Sequence, residues 1–219
     1  MADNYLEKRY QEVFESSGKT RKTVARPSLD TLFHANRSVR GFDKSSKVHR
    51  RQLEAIVAVN PLLASSVNRQ MLRFRLVTAD DADAVSVLQA HTRMGRGLPE
   101  LNLPFPGTEP EAFIVVCTTV PENASVLIDL GISLEGMTLK AVELGLNALI
   151  IRNFDPADVK QGLALPLDPL AVVAIGRSAE KIELVPLPTG KEHPAPELKY
   201  YRENGVHYVP KIQVQDLII

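Results

Sequence analysis

Residues 36–42 combine two arginines with a serine just past the end of a predicted helix. Guanidinium groups form charge-assisted, bidentate hydrogen bonds with phosphate oxygens, and a nearby hydroxyl adds another donor. The segment therefore suits a phosphate clamp made by Arg37, Ser38 and Arg40. A solvated basic turn is the simpler interpretation when these residues are taken alone, so both interpretations remain open.

Residues 65–70 precede the first predicted strand and are rich in small hydroxyl and amide side chains. The hydroxyl and amide residues among them are Ser65, Ser66, Asn68 and Gln70. Amide side chains both donate and accept hydrogen bonds, which suits the mixed edge of a flat heterocycle. A polar loop between a helix and a strand is the alternative interpretation.

Several familiar sites are missing from the sequence. It has no P-loop and no Gly-x-Gly-x-x-Gly after its first predicted strand, and no His-Glu-x-x-His or Gly-x-Ser-x-Gly motif. Its five histidines show no metal-ligand spacing, so no metal site is predicted. The single cysteine, Cys117, excludes an internal disulfide, and its apolar surroundings predict a buried core thiol.

The chain has 219 residues with 26 basic and 26 acidic side chains, so its formal net charge is zero. A balanced charge disfavours the basic surface that nucleic-acid-binding proteins carry. No apolar run approaches the roughly 18 residues that a membrane-spanning helix needs, and the first residues lack the apolar core of a secretory signal. We therefore expect a cytoplasmic protein that has neither a nucleic acid nor a membrane as partner.

The elements that must position these segments alternate along the chain. Strands are predicted by three continuous apolar runs and one alternating segment, at 112–118, 146–151, 171–175 and 73–78. The longest helical pattern spans 122–144, and Asp155-Pro156 begins a short helix. This alternation indicates an α/β or α+β protein with a single domain, residues 1–219.

Both ends of the chain extend beyond this alternation. Apolar residues at helical spacing between residues 3 and 17 predict an N-terminal helical extension over 1–27. Residues 186–210 contain five prolines, yet the chain ends on the apolar residues 217–219. An apolar terminus needs something to bury it. Either it returns to a sheet of its own chain or it crosses to a partner subunit.

Residues 37–42 and 65–70 together resemble two motifs of the nitroreductase family of flavin enzymes. The family has an Arg-Arg-Ser-x-Arg-x-Phe-like segment after an early helix, and then Pro-Ser-x-x-Asn-x-Gln-Pro-Trp leading into a strand. Further similar segments follow in the family's order, at 129–133, 139–146, 151–155, 172–176 and 208–211. The resemblance covers residues 28–219.

The resemblance implies an α+β fold, a nitroreductase-like three-layer sandwich with a mixed central sheet flanked by helices. It also implies an intertwined homodimer. Residues 186–219 are then a C-terminal arm that reaches the partner subunit, and its final strand pairs with that subunit's sheet. The family's FMN lies at the subunit interface, so both chains are expected to contact it.

Ten cofactor-binding residues follow from the resemblance. Three charged side chains and a hydroxyl are expected to hold the phosphate: Arg37, Arg40, Lys211 and Ser38. Four polar residues, of this subunit or of its partner, are expected to meet the ring or ribityl chain: Ser65, Ser66, Asn68 and Gln70. Two more are expected to present backbone at the flavin N5: Arg152 and Asn153. No catalytic side chain is named, because the flavin performs the chemistry.

The same resemblance implies an FMN-dependent oxidoreductase with a ping-pong mechanism. NADH or NADPH reduces the flavin and leaves, and a small electron-poor acceptor such as a nitroaromatic or a quinone then takes two electrons. Asn36, Arg152 and Asn153 depart from the family's motifs, so a flavin-binding protein without turnover remains one alternative. Another is a relative with different flavin chemistry, such as dehalogenation or flavin breakdown.

Overall fold

The structure is a computed structural model that describes residues 27–95 and 97–219. The helical extension predicted over 1–27 lies outside these residues, apart from Pro27. The described α-helices are α1 (Leu29–Ala35), α2 (Arg50–Val57), α3 (Ala82–His91), α4 (Ala124–Glu143) and α5 (Pro156–Gly162). None of these helices combines the length and the apolarity needed to cross a membrane.

Seven strands are described, together with short 3₁₀ helices. The strands are β1 (Leu72–Val77), β2 (Ala112–Thr118), β3 (Asn147–Ile151), β4 (Asp168–Gly176), β5 (Lys181–Pro186), β6 (Tyr201–Glu203) and β7 (Val206–Lys211). The 3₁₀ helices are Asn60–Leu62, Ser66–Asn68, Pro99–Leu101, Ala195–Leu198 and Val214–Asp216. The four strands predicted from the sequence correspond to β1–β4; after Gly176 the sequence analysis expects only a final strand of the C-terminal arm, without bounds.

Four strands form the central sheet, in the order β1-β2-β4-β3. The two middle strands, β2 and β4, are buried along almost their whole length, which explains why they are continuous apolar runs in the sequence. The edge strand β1 alternates instead: Arg73 and Arg75 are exposed, while Leu72, Phe74 and Leu76 are half-buried.

The two faces of the central sheet pack against different helices. On one face, Ile114 and Val116 of β2 belong to a core cluster with residues of α2 and α4. On the other face, Phe113 and Val115 cluster with residues of α3 and α5. Neighbouring residues of a strand point to opposite faces, so one apolar strand serves both cores. This arrangement confirms the predicted α+β three-layer sandwich.

The pairing within the central sheet corrects one detail of the prediction. Each neighbouring pair among its strands is antiparallel, whereas the sequence analysis expects a mixed sheet. The N-terminal segment adds a single parallel bridge, between Ser38 and Ala148 of β3. This segment forms no longer strand, and four residues later Phe42 makes a single antiparallel bridge to Ser178.

A second sheet, in the order β5-β7-β6, follows Gly176. β7 is parallel to β5 and forms an antiparallel hairpin with β6. The hairpin turn is Asn204-Gly205, whose φ angles of 49° and 80° are the geometry that two-residue hairpin turns require. Within this chain, the final strand β7 lies between β5 and β6. Residues 217–219, which follow it, remain exposed.

Candidate functional site

The N-terminal segment 36–40 and the second sheet meet around a pocket of about 350 Å³, which we call the basic pocket. All four predicted phosphate ligands line it: Arg37, Ser38, Arg40 and Lys211. Its other lining residues are Phe33, Asn36, Glu135, Ile182, Tyr200, His207 and Val209. The structure thus brings together residues from opposite ends of the chain.

Asn36 fixes the point at which the chain leaves α1. Its side-chain amide donates to Glu135 at 3.1 Å and to the Thr138 hydroxyl at 2.9 Å, and both acceptors lie on α4. Two residues later, Ser38 bridges Ala148 of β3. The segment is therefore anchored to α4 and to β3, so Arg37 and Arg40 enter the pocket from a fixed backbone.

Arg37 lies half-buried at the end of α1. Its guanidinium donates to the Phe33 carbonyl oxygen at 2.6 Å, while its Nε is buried with no hydrogen-bond partner. Burial lowers the pKa of this guanidinium, and the nearby Glu135 carboxylate opposes that effect. Arginine nevertheless stays protonated at neutral pH. A buried donor without an acceptor is costly, which favours an anionic oxygen at this place.

Arg40 reaches across to the second sheet. Its backbone N–H donates to Glu180 Oε2 at 2.6 Å, and its guanidinium donates to the Ser38 carbonyl oxygen and to the Tyr200 hydroxyl, at 3.2 Å and 3.4 Å. The guanidinium lies 4.9 Å from the centroid of the Tyr200 ring, and its Nε is also buried without a partner. These guanidinium contacts are to neutral groups, so its charge can act on an anion.

His207 of β7 also lines the basic pocket, and the sequence analysis does not assign it. Its side chain is 1% exposed, and neither ring nitrogen has a hydrogen-bond partner. Burial lowers the pKa of His207, and the positive charge of Arg40 lowers it further. The imidazole is therefore neutral at neutral pH. The sequence did carry a signal for the strand that holds His207. Asn-Gly is typical of hairpin turns, so Asn204-Gly205 predicts a hairpin whose second strand contains His207.

The predicted ring-binding loop lies beside a different pocket, of about 420 Å³, which we call the apolar pocket. Ser65 and Gln70 line it, and so do Asp129 and Ser133 of α4. Most of the remaining lining is aliphatic or aromatic: Val57, Ala58, Pro61, Leu63, Ala64, Met71, Leu72, Phe74 and Leu76. Within this chain, then, Ser65 and Gln70 line a different pocket from the predicted phosphate ligands, while Ser66 and Asn68 line neither pocket.

The loop at 65–70 is held at one point and strained at another. The backbone N–H and the hydroxyl of Ser66 both donate to Asp129 Oδ1, at 2.8 Å and 2.9 Å. Val67 has a φ of 51° and is 93% exposed, although left-handed backbone is rare for a β-branched residue. Strained backbone of this kind clusters at functional sites. Beside it, the Gln70 amide donates to Asn68 Oδ1 at 3.0 Å.

Arg152 and Asn153, predicted to meet the flavin N5, line neither of these two pockets. The Arg152 guanidinium donates to the Leu170 carbonyl oxygen at 2.7 Å and pairs with Glu122 at 3.4 Å. The Asn153 carbonyl oxygen accepts from the Arg93 N–H at 2.9 Å. Both residues follow β3, whereas Ser38 bridges Ala148 near its start. At about 3.3 Å per residue, Arg152 and Asn153 lie about 13 Å and about 16 Å further along the chain.

Two other predictions concern the cysteine and possible metal ligands. Cys117 is buried in β2, and burial raises the pKa of its thiol to about 11, which confirms a core thiol. In the described part of the chain, His91, Asp155 and Asp158 place possible metal-ligating atoms within 4.8 Å of one another. Arg93 already pairs with Asp155 at 3.3 Å, so an ordinary surface ion-pair network accounts for this cluster.

Comparison with models of known protein families identifies the family of this chain. A model of the nitroreductase family matches residues 35–177, well over half of the chain. The chain belongs to the nitroreductase family. The matched region runs from the segment before Arg37 to the end of β4, so it contains the whole central sheet but not the second sheet.

Several solved structures have a similar fold. A protein from Desulfovibrio desulfuricans, described as a nitroreductase and solved with FMN, has a TM-score of 0.57 and 23% identity, and the match covers 76% of this chain and 92% of that one. An FMN-dependent nitroreductase from Clostridium difficile R20291 has a TM-score of 0.55 and 22% identity, covering 68% and 87%.

A third structure is a mutant of NfnB, the FMN- and NADPH-dependent nitroreductase from a Sphingopyxis strain. It has a TM-score of 0.55 and 19% identity, and the match covers 70% of this chain and 89% of that one. At this level of identity the three structures establish a shared fold. No curated protein sequence matches the chain.

Proposed function

We propose that this chain is an FMN-dependent oxidoreductase whose basic pocket holds the FMN phosphate. The observation that carries the proposal is the convergence of Arg37, Ser38, Arg40 and Lys211 on one pocket. Two of them, Arg37 and Arg40, have buried Nε donors without a protein acceptor. A phosphate monoester supplies the dense, negatively charged oxygens that such donors prefer.

The protein's part in this chemistry is to bind FMN and to orient it. When bound, FMN supplies the hydride and electron transfer that side chains do not. Arg37, Arg40 and Lys211 neutralise its phosphate, and the Ser38 hydroxyl adds a hydrogen bond. NADH or NADPH, both available in the cytoplasm, is the proposed electron donor, and small electron-poor molecules such as nitroaromatics or quinones are the proposed acceptors. Donor and acceptor use the site in turn.

We also propose that the functional unit is a homodimer. Ser65, Ser66, Asn68 and Gln70 of one copy would then meet the flavin held by the basic pocket of the other copy. The separation of the two pockets within one chain supports this arrangement. So do the exposed apolar side chains on α4 and at the terminus, since soluble monomers avoid large exposed apolar patches. They are Leu127, Ile128, Ile132, Leu217, Ile218 and Ile219.

The proposed function is tested on the purified protein in two steps. First, FMN should be released on denaturation, or should bind to the flavin-free protein. Second, NADH or NADPH should bleach the bound flavin without oxygen, and adding a quinone or a nitroaromatic should restore its colour. Bound flavin that neither donor reduces would support a binding protein without turnover. Dehalogenated products or flavin fragments would support the other alternative, and absence of flavin binding would refute the proposal.

A further inference from the structure

His207 is a polar residue that lines the basic pocket. Its imidazole is almost fully buried, and both nitrogens lack a hydrogen-bond partner. Buried polar groups of folded proteins are nearly always hydrogen-bonded, so this imidazole is expected to have a partner that the protein itself does not provide. His207 shares the pocket with Arg37, Arg40 and Lys211, so a ligand phosphate held there is the natural candidate.

The charges around His207 come from several elements. Arg40 lies on the N-terminal segment, Glu180 precedes β5, Arg202 lies on β6, and all three act electrostatically on the imidazole. Lys211 is on the same strand as His207. The Tyr200 ring packs against the imidazole, with 5.1 Å between the ring centroids. Across the pocket lie Arg37 and Glu135.

Burial and the positive charge of Arg40 lower the pKa of the imidazole. Glu180 is the acidic group among the three charges, and it is already engaged by the Arg40 N–H at 2.6 Å and by Arg202 at 3.3 Å. A phosphate dianion beside the ring would raise the pKa of His207, because a nearby opposite charge favours the protonated form of histidine.

We propose that His207 takes up a proton from solvent when FMN binds and then donates a hydrogen bond to the FMN phosphate. This inference rests on the proposed function, since it requires FMN in the basic pocket. It adds a cofactor-binding residue from the hairpin, and it makes cofactor affinity depend on pH. No bond is broken or formed apart from the N–H bond of the imidazole.

The sign of the pH dependence follows from linkage. The pKa of His207 is lowered in the flavin-free protein, and bound phosphate raises it. FMN affinity then gains from the imidazole as the pH falls from the bound-state pKa to the free-state pKa. Within that window the gain approaches about tenfold per pH unit.

The experiment compares FMN binding by wild type and His207→Gln, from about pH 5.5 to about pH 8.5, a range that brackets ordinary histidine titration. The FMN phosphate has its own second pKa near 6, and this effect is common to both proteins. The ratio of wild-type to variant affinity therefore isolates the imidazole. It should rise by about tenfold or more as the pH falls. Riboflavin, which lacks the phosphate, should show no such rise.

Two further measurements make the result decisive. His49→Gln, an exposed histidine at the start of α2, is the matched control and should keep the wild-type profile. Nuclear magnetic resonance of the wild-type His207 imidazole, with and without FMN, needs no variant and should show a higher pKa in the complex. A constant affinity ratio or an unchanged imidazole pKa would make His207 a plain core residue. Wild type that binds no FMN at any pH would instead refute the proposed function.

Discussion

The basic pocket and the apolar pocket are both lined by predicted flavin ligands, but they are built differently. In the basic pocket, contacts join distant parts of the chain, and Arg40 and Tyr200 are 160 positions apart in sequence. Beside the apolar pocket, Gln70 contacts Asn68, and one anchor from Ser66 to Asp129 ties the loop to α4.

This difference suggests that the two regions have different roles in the proposed function. The basic pocket gathers Arg37, Arg40 and Lys211 within one chain, so the proposed phosphate ligands all come from a single copy. The loop at 65–70 leaves Val67, Asn68 and Gln70 exposed, each with a positive φ, and none of them lines the basic pocket. We therefore expect changes in the basic pocket to act on cofactor affinity, and changes at the loop to act on the flavin environment and on the assembly.

The largest expected effect is that of Arg40→Ala on FMN binding. Hydrogen bonds to charged groups contribute about 1.5–3 kcal/mol, which corresponds to a loss of affinity of roughly ten- to a hundredfold. Riboflavin should be almost indifferent to the change, and flavin titration measures both. Arg75→Ala is the matched control, because Arg75 pairs with Asp81 on the surface at 2.8 Å. Unchanged FMN affinity in Arg40→Ala would remove Arg40 from the clamp.

The anchor of the loop is tested by Asp129→Ala. This change leaves the N–H and the hydroxyl of Ser66 without their common acceptor, and the free energy of unfolding should fall by about 1–3 kcal/mol. Denaturant titration of the flavin-free protein measures this, with exposed Asp80→Ala as the control. If Asp129→Ala is as stable as the wild type, the loop is held by something else.

Removal of residues 212–219 tests the contribution of the C-terminal residues while leaving the strands of the second sheet in place. The truncated chain keeps all the residues that line the basic pocket, including Lys211. It loses Leu217, Ile218 and Ile219, each worth about 1.5–3 kcal/mol when fully buried. The dimer should therefore dissociate at higher protein concentration, as light scattering measures, while FMN affinity falls less than in Arg40→Ala. An equally stable dimer would place the terminus on its own subunit.

The smallest expected effect is that of Gln70→Leu. The change removes a group that both donates and accepts hydrogen bonds at the proposed ring-binding loop. The absorbance spectrum or the reduction potential of bound flavin should shift, while the free energy of unfolding stays within about 0.5 kcal/mol of the wild type. Gln161→Leu, on the exposed face of α5, is the control. An unchanged spectrum and potential would leave residues 65–70 as an ordinary polar loop.

The central sandwich was predictable because its signals are local. Continuous apolar runs predicted β2–β4, and alternation around Arg73 and Arg75 predicted β1, since burial on one or both faces leaves its own pattern. The second sheet was missed although Asn204-Gly205 marked its hairpin, because prolines and short strands hid the alternation.

The sequence by itself determined the types of groups available for phosphate and for a flavin edge, the order of the central strands along the chain, and the burial of Cys117. Only the tertiary structure decided which groups meet. It brought Arg37, Arg40 and Lys211 together, added His207, and left Arg152 and Asn153 outside the pocket. The physical reason is that spacing along the chain governs contacts within an element. Contacts between distant elements depend instead on how their apolar faces pack and on where the chain turns between them.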